Sequence, residues 1–149
     1  MSQTYFGSAL RSGSGTLTDT TDGGFVVLSQ TTTVTTAGAG TATSSSVTIP
    51  SGSQIIDIKV DGTTAAVVGG GSATAIAVTV GSAAAGTQYM SSTDGIAGGR
   101  LTFAPTAAQT AAMADVGTNQ TVYITADPDG TISTTQGVFR LTVVYAQKG

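Results

Sequence analysis

The chain contains no histidine, cysteine, tryptophan or glutamate, so each of its eight acidic residues is an aspartate. A Ser–His–Asp triad, a cysteine nucleophile and a zinc site of the usual His/Cys type all need residue types that are missing. Disulfide bonds are excluded for the same reason, so any rigidity must come from packing. These absences exclude most of the common catalytic and metal chemistries, and we expect no enzyme activity, cofactor or metal ion.

Charge is also scarce. Charged residues make up 9% of the chain and the formal net charge is −3, whereas charged residues are about 25% of a typical globular domain. The five cations are scattered along the sequence as Arg11, Lys59, Arg100, Arg140 and Lys148. Nucleic-acid binding needs clustered bases that displace counterions from phosphates. We therefore expect no nucleic-acid partner.

Small residues are abundant where charged and large residues are scarce. Thr, Gly, Ala and Ser together supply 86 of the 149 residues. Two long uncharged stretches, 23–56 and 62–93, are rich in Thr, Ser and Gly, whereas a membrane helix needs about 20 predominantly apolar residues. The N-terminus lacks the apolar run of a secretory signal. We expect one globular domain that is made in the cytoplasm and has no membrane partner.

Residues 1–24 follow neither the helical nor the strand period. They contain five glycines and isolated apolar residues at Tyr5, Phe6, Leu10 and Leu17. This pattern predicts an extended N-terminal arm that is ordered only against another surface. We predict that these four residues and Arg11 contact a partner or a second subunit.

Residues 25–149 predict a single β domain. Apolar and β-branched residues alternate in short runs that are bounded by turn residues. In the run 54–60, Ile56, Ile58 and Val60 alternate with Ile55, Asp57 and Lys59. In the final run, Phe139, Leu141, Val143 and Tyr145 share one face, and Val138, Arg140, Thr142 and Val144 share the other. The predicted strands are 25–36, 47–49, 54–60, 75–80, 87–90, 100–103, 121–126 and 136–146.

One segment predicts a short helix. Thr106 and Gln109 have capping-box spacing and precede an alanine-rich run that ends before Gly117. About eight short strands with turns at regular spacing, and one helix, predict an all-β fold. The expected fold is an antiparallel β-sandwich, jelly-roll-like, with an extended N-terminal arm.

Most aspartates are explained by turns. Asp22, Asp61, Asp94 and Asp129 each precede a glycine, and Asp-Gly is typical of tight turns; Asp61-Gly62 is predicted to close the third strand. Asp127-Pro128-Asp129-Gly130 does not continue as an EF-hand loop; a turn is favoured, with a looser calcium site as the alternative. A paired-aspartate glycosidase is disfavoured because few aromatic residues are available to bind sugar.

Arg100 and Arg140 are the arginines in strand-like contexts, and two interpretations stay open. They could lie on a solvated strand face that discourages edge-to-edge aggregation. Alternatively, they could be docking contacts, for example in an Arg–Asp pair across a subunit interface.

Four stretches carry a resemblance to a known family: residues 20–28 (TTDGGFVVL), 55–61 (IIDIKVD), 78–89 (VTVGSAAAGTQY) and 139–146 (FRLTVVYA). Together they resemble small virion proteins of tailed bacteriophages, notably head decoration (cement) proteins. The resemblance implies a structural protein on the capsid surface that binds the major capsid protein, is usually trimeric, and stabilises the shell against internal DNA pressure. It brings no catalytic residues.

A second function class is a receptor-binding, fibre or tail module that recognises a host glycan or surface protein. Such modules are also β-sandwiches and trimers, but usually continue into long repetitive shafts, which this sequence does not contain. The number of copies per particle separates the two classes. On the decoration hypothesis, deleting residues 1–20 leaves the domain folded but weakens binding to particles.

Overall fold

The structure, a computed structural model, describes residues 25–114 and 117–148. The predicted arm, with Tyr5, Phe6, Leu10, Arg11 and Leu17, lies outside the described residues. The described residues form eight strands and one helix in the predicted order. The elements are β1 (Phe25–Thr35), β2 (Thr43–Ile49), β3 (Ser53–Thr64), β4 (Ile76–Gly81), β5 (Met90–Asp94), β6 (Gly99–Leu101), α1 (Ala107–Ala112), β7 (Gln120–Pro128) and β8 (Val138–Lys148).

The strands form two four-stranded sheets of order β1-β8-β3-β6 and β2-β7-β4-β5. Every pairing between these strands is antiparallel. The first strand pairs with the last, the second with the seventh, the third with the sixth and the fourth with the fifth, as in one long hairpin rolled into two layers. That connectivity is the jelly roll, so the predicted fold class is confirmed.

The core lies between the sheets and is built mainly by alternation of inward and outward residues along the strands. In β8, Phe139, Leu141, Val143 and Tyr145 are almost completely buried, as their shared face predicts. The facing layer is supplied mainly by β4 and β7. The large residues with under 2% exposure are Tyr145, Phe139, Ile49, Ile76, Met90, Ile124, Ile132, Leu141, Val60, Val78, Val80 and Val122.

Helix α1 connects the two layers at one end of the sandwich. The predicted capping box forms: Gln109 Oε1 accepts from the Thr106 N–H at 2.9 Å, and Thr106 Oγ1 accepts from the Gln109 N–H at 3.3 Å. The Gln109 amide also donates to the Thr87 carbonyl, before β5. Beyond the helix, the Met113 carbonyl accepts from Ile55 of β3. The helix therefore connects the start of β3 in the first sheet to the segment that precedes β5 in the second.

The loop that precedes β5 replaces the predicted strand 87–90. The Gln88 side chain accepts from the Ser82 N–H, and the Ala85 N–H donates to Thr125 Oγ1 at 2.8 Å. Residues 82–89 therefore fold towards the outer face of the second sheet, and β5 begins only at Met90.

The prediction that Asp61-Gly62 is a turn was wrong. Both residues lie inside β3, and Gly62 pairs with Gly99 of β6. A Cβ atom at Gly62 would lie 2.6 Å from the Gly98 Cα atom, a contact that real Cβ atoms do not make. The glycine is needed for the close approach of β6, not for a turn.

The alternation predicted for β3 is also interrupted. Tyr145 pairs with Ile55 but Val144 pairs with Asp57, so Ile56 is the extra residue of a β-bulge. Ile58 and Val60 stay buried as predicted, whereas Ile55 takes the inward position and the Ile56 side chain is 51% exposed.

Candidate interaction surface

The outer face of the first sheet carries a row of four cross-strand neighbours, which we call the charged row. Thr33 of β1 lies opposite Arg140 of β8, Arg140 lies opposite Asp61 of β3, and Asp61 lies opposite Arg100 of β6. Directly opposed residues have Cβ atoms about 4.5–5.5 Å apart, so their side chains interact. The register of three strand pairs therefore places both arginines beside one carboxylate.

Asp61 forms an ion pair with each arginine. Arg100 Nε donates to Asp61 Oδ1, and Arg140 Nη2 lies 3.5 Å from Asp61 Oδ2. The Asp61 side chain is only 19% exposed, whereas the two arginine side chains are about half exposed. The carboxylate is thus shielded by its two partners, and the guanidinium groups still face solvent.

A third ion pair lies on the same face, where Lys59 Nζ is 3.3 Å from Asp57 Oδ2. Lys59, Arg100 and Arg140 are the cationic side chains whose contacts the structure describes, and all three lie on this face. Each has a carboxylate partner. Because paired charges have already given up part of their hydration, covering this face costs less than covering isolated charges.

A groove lies beside the charged row where β6 diverges from β3. Strand β6 pairs only with Val60, Asp61 and Gly62, so residues 102–114 cover the earlier part of β3 instead. The resulting space, which we call the Ile56 groove, has a volume of about 610 Å³. Its walls are Gln54, Ile55, Ile56, Pro105, Thr110, Met113, Ala114 and Ala146. A smaller space of about 300 Å³ lies on the other side of Ile56, next to Phe103 and Arg100.

The outer face of the second sheet differs in character. Strand alternation and exposure place the hydroxyl groups of Ser44, Ser46 and Thr48 along the edge strand β2, opposite Thr125, Tyr123 and Thr121 of β7. The Ser44 and Thr125 hydroxyls lie 2.8 Å apart. This face therefore presents neutral hydroxyl groups, in contrast to the ion pairs of the first sheet.

Two of the aspartates that precede a glycine accept backbone N–H groups. Asp94 does so within its own turn, as predicted for it, whereas Asp129 binds residues 54 and 55 positions away and not its own turn. Asp129 Oδ1 accepts from the Thr74 and Ala75 N–H groups at 2.7 and 3.0 Å, and Oδ2 lies 2.5 Å from Thr74 Oγ1. These bonds, led by that of the Thr74 hydroxyl, lower the pKa of Asp129. Asp94 Oδ1 accepts from the Ile76 and Ile96 N–H groups. Within the described residues, no group of three or more acids is placed to hold a metal ion.

Arg100 and Arg140 were singled out from the sequence, and the structure brings them together on Asp61. Arg100 lies on the edge strand β6, where a charge discourages edge-to-edge pairing, but Arg140 lies on the central strand β8. Their contact with a partner stays a prediction. Sequence reasoning missed Asp61 and the exposed Ile56, because a cross-strand register and a bulge leave no local signal.

Comparison of the chain with family models, with curated proteins and with solved structures finds no match. Across the residues that the structure describes, no helix is both long enough and apolar enough to span a bilayer.

Proposed function

We propose that this chain is a structural protein of a tailed-bacteriophage virion, which binds the major capsid protein on the outside of the assembled shell and stabilises it. The observation that carries the proposal is the difference between the two outer faces of the jelly roll. One face combines the charged row with the Ile56 groove, and the other presents neutral hydroxyls. A domain with two chemically different faces suits a protein that binds a shell with one face and exposes the other to solvent.

The charge pattern supports the first sheet as the face that binds the shell. Its ion pairs are formed within the chain, so they persist when a partner excludes water from them. Each contact with the shell can be weak, because a modest binding free energy repeated over many copies on one particle gives a large total stabilisation.

The jelly roll alone does not decide the function, since viral capsid proteins and lectins share it. A glycan-binding fibre or tail module is therefore the second candidate. Sugar binding usually needs exposed aromatic rings. Among the aromatic side chains whose burial the structure describes, Tyr89, Phe139 and Tyr145 are buried. The other two, Phe103 and Tyr123, are half-buried. This scarcity favours decoration over glycan recognition.

The proposal is tested on phage particles that are purified by density-gradient centrifugation from a lysate that contains this chain. We expect hundreds of copies per particle on a stained gel, and density for the chain on the shell in averaged particle images. A few copies, or density on the tail, would favour the fibre module, and binding to a glycan array would support it further. Light scattering of the purified chain tests the trimer, which has three times the 14.5 kDa mass of one copy.

Two matched variants test which face binds. Thr31→Tyr adds a bulky side chain to the outer face of the first sheet, and Ser46→Tyr does the same on the second; both positions are exposed. We expect Thr31→Tyr to lower the occupancy of particles and Ser46→Tyr to leave it unchanged. The reverse order would place the second sheet against the shell.

Deletion of residues 1–20 is expected to weaken binding to particles while the domain stays folded, and unchanged occupancy would contradict a role for the arm.

A further inference from the structure

We propose that the Ile56 groove binds the N-terminal segment, residues 1–24, of the same chain, with Phe6 as its main anchor. This inference concerns the free chain and does not depend on the proposed function; on a particle, the expected contact of these residues with the shell requires the segment to leave the groove. It rests on the chemistry of the groove, on its distance from the start of β1, and on the composition of the segment.

The groove has the chemistry of a site for an apolar side chain. None of its eight lining residues is charged, and Ile56, Pro105 and Met113 supply its apolar surface. Half of the Ile56 side chain is exposed, so apolar area remains to be buried at about 25 cal/mol per Å².

The start of β1 lies at the same end of the first sheet as the groove. Val27 of β1 lies opposite Ala146 of β8, and Ala146 lies opposite Gln54 of β3. Gln54 and Ala146 both line the groove. Because neighbouring strands are about 4.8 Å apart, β1 lies roughly 5 Å from the Ala146 wall of the groove and roughly 10 Å from the Gln54 wall.

The length of the preceding segment is sufficient to reach the groove. Twenty-four extended residues span up to about 80 Å, and the entropic cost of closing a loop rises only with the logarithm of its length. A short tether also gives an effective concentration in the millimolar range. The segment of the same chain therefore outcompetes that of a second copy in dilute solution.

The composition of the segment matches the groove. Besides Met1, its large apolar residues are Tyr5, Phe6, Leu10 and Leu17, and most of the other residues are Gly, Ser and Thr. Phe6 is the largest of them without a polar atom. An uncharged groove and a segment of isolated apolar anchors are complementary, and this pairing accounts for the exposure of Ile56 in the domain.

Trypsin cleavage after Arg11 tests the contact in the full chain. We expect Ile56→Asp to speed this cleavage about tenfold, equivalent to about 1.4 kcal/mol of lost binding, as followed by mass spectrometry. Val67→Asp is the matched control, because Val67 is 49% exposed and lies outside the groove; it should leave the rate unchanged. Phe6→Ser should accelerate cleavage as Ile56→Asp does. Equal rates in all four proteins would overturn the proposal.

Introduced cysteine pairs decide where the segment binds, since the chain has no cysteine of its own. Ser8→Cys with Gln54→Cys keeps Phe6 and Ile56 intact and should form an intramolecular disulfide on mild oxidation. Ser8→Cys with Ser46→Cys, on the outer face of the second sheet, is the control and should form it at least tenfold more slowly. Equal rates for the two pairs would overturn the assignment to the groove, and a disulfide-linked dimer would overturn binding within one chain.

Discussion

Asp61 lies directly opposite Arg140 across the β3–β8 pair, with Arg140 Nη2 3.5 Å from Asp61 Oδ2. On its other side Asp61 binds Arg100 of the edge strand β6. One carboxylate thus connects three of the four strands of the first sheet. Because both arginines are about half exposed, the contribution of these pairs to stability is modest and sensitive to salt.

Replacing Asp61 by asparagine removes the charge and keeps the shape of the side chain. We expect Asp61→Asn to lower the free energy of unfolding by about 1 kcal/mol at low salt, from two pairs worth about 0.2–1 kcal/mol each. The loss should shrink in about 1 M sodium chloride, where the Debye length is about 3 Å. Urea denaturation at the two salt concentrations measures it. Asp57→Asn, which removes one exposed pair, should cost less, and a loss of equal size at both salt concentrations would contradict the electrostatic explanation.

Gln109 is the polar residue that holds α1 in place. It is 7% exposed, and its amide donates to the Thr87 carbonyl at 2.9 Å and to Ser91 Oγ at 3.1 Å. We expect Gln109→Glu to cost about 3 kcal/mol, because it keeps the capping acceptor but leaves the Thr87 carbonyl without a donor and places a charge at a buried position. Thr106→Ala, which removes only the cap, should cost about 1 kcal/mol.

Urea denaturation of both variants near neutral pH measures the difference. The cost of Gln109→Glu should fall at acidic pH, because a protonated carboxyl group can donate one hydrogen bond again. Equal losses for the two variants would show that the bonds from α1 to Thr87 and Ser91 add nothing to stability.

Asp129 makes stability depend on pH in the acidic range. Its pKa is lowered from 3.8, first by the hydrogen bond from the Thr74 hydroxyl and then by the backbone N–H groups of Ala75 and Thr74. A lowered pKa means that the folded chain holds the charged form more strongly than the unfolded chain does. The stabilisation is therefore fully present above about pH 4 and is lost as the pH falls through the lowered value.

Carbon NMR of the carboxyl groups should give Asp129 a pKa below its ordinary value, and Thr74→Val should raise it. Between about pH 6 and about pH 2, the unfolding midpoint should fall more steeply in the wild type than in Asp129→Asn. Parallel pH profiles for these two proteins would contradict the role of this carboxylate.

The capping box and the faces of β8 show what local sequence can predict. Thr106 and Gln109 bind one another across a single helical turn, so their spacing alone defines the contact. The alternation from Phe139 to Tyr145 predicts which side chains are buried, because successive residues of a strand point to opposite faces.

Asp61-Gly62 and Ile56 show where local reasoning fails. An Asp-Gly pair is typical of a turn, but here Gly62 is needed because the chain entering β6 passes so close that a Cβ atom would lie 2.6 Å from the Gly98 Cα atom. The bulge at Ile56 depends on pairing with β8, about ninety residues further along the chain. Neither the close approach at Gly62 nor the bulge at Ile56 can be predicted from the residues next to it in the sequence.

The sequence by itself determined the all-β class, the number and order of the strands, the capped helix and the absence of His, Cys and Glu chemistry, because these depend on composition and on contacts between close neighbours. Only the tertiary structure decided that Arg100 and Arg140 meet at Asp61 and that a groove opens beside Ile56. Asp61 and Arg100 are 39 residues apart, and only the register of β3 with β6 and β8 brings such residues together. Register is a property of paired strands, and no single strand encodes it.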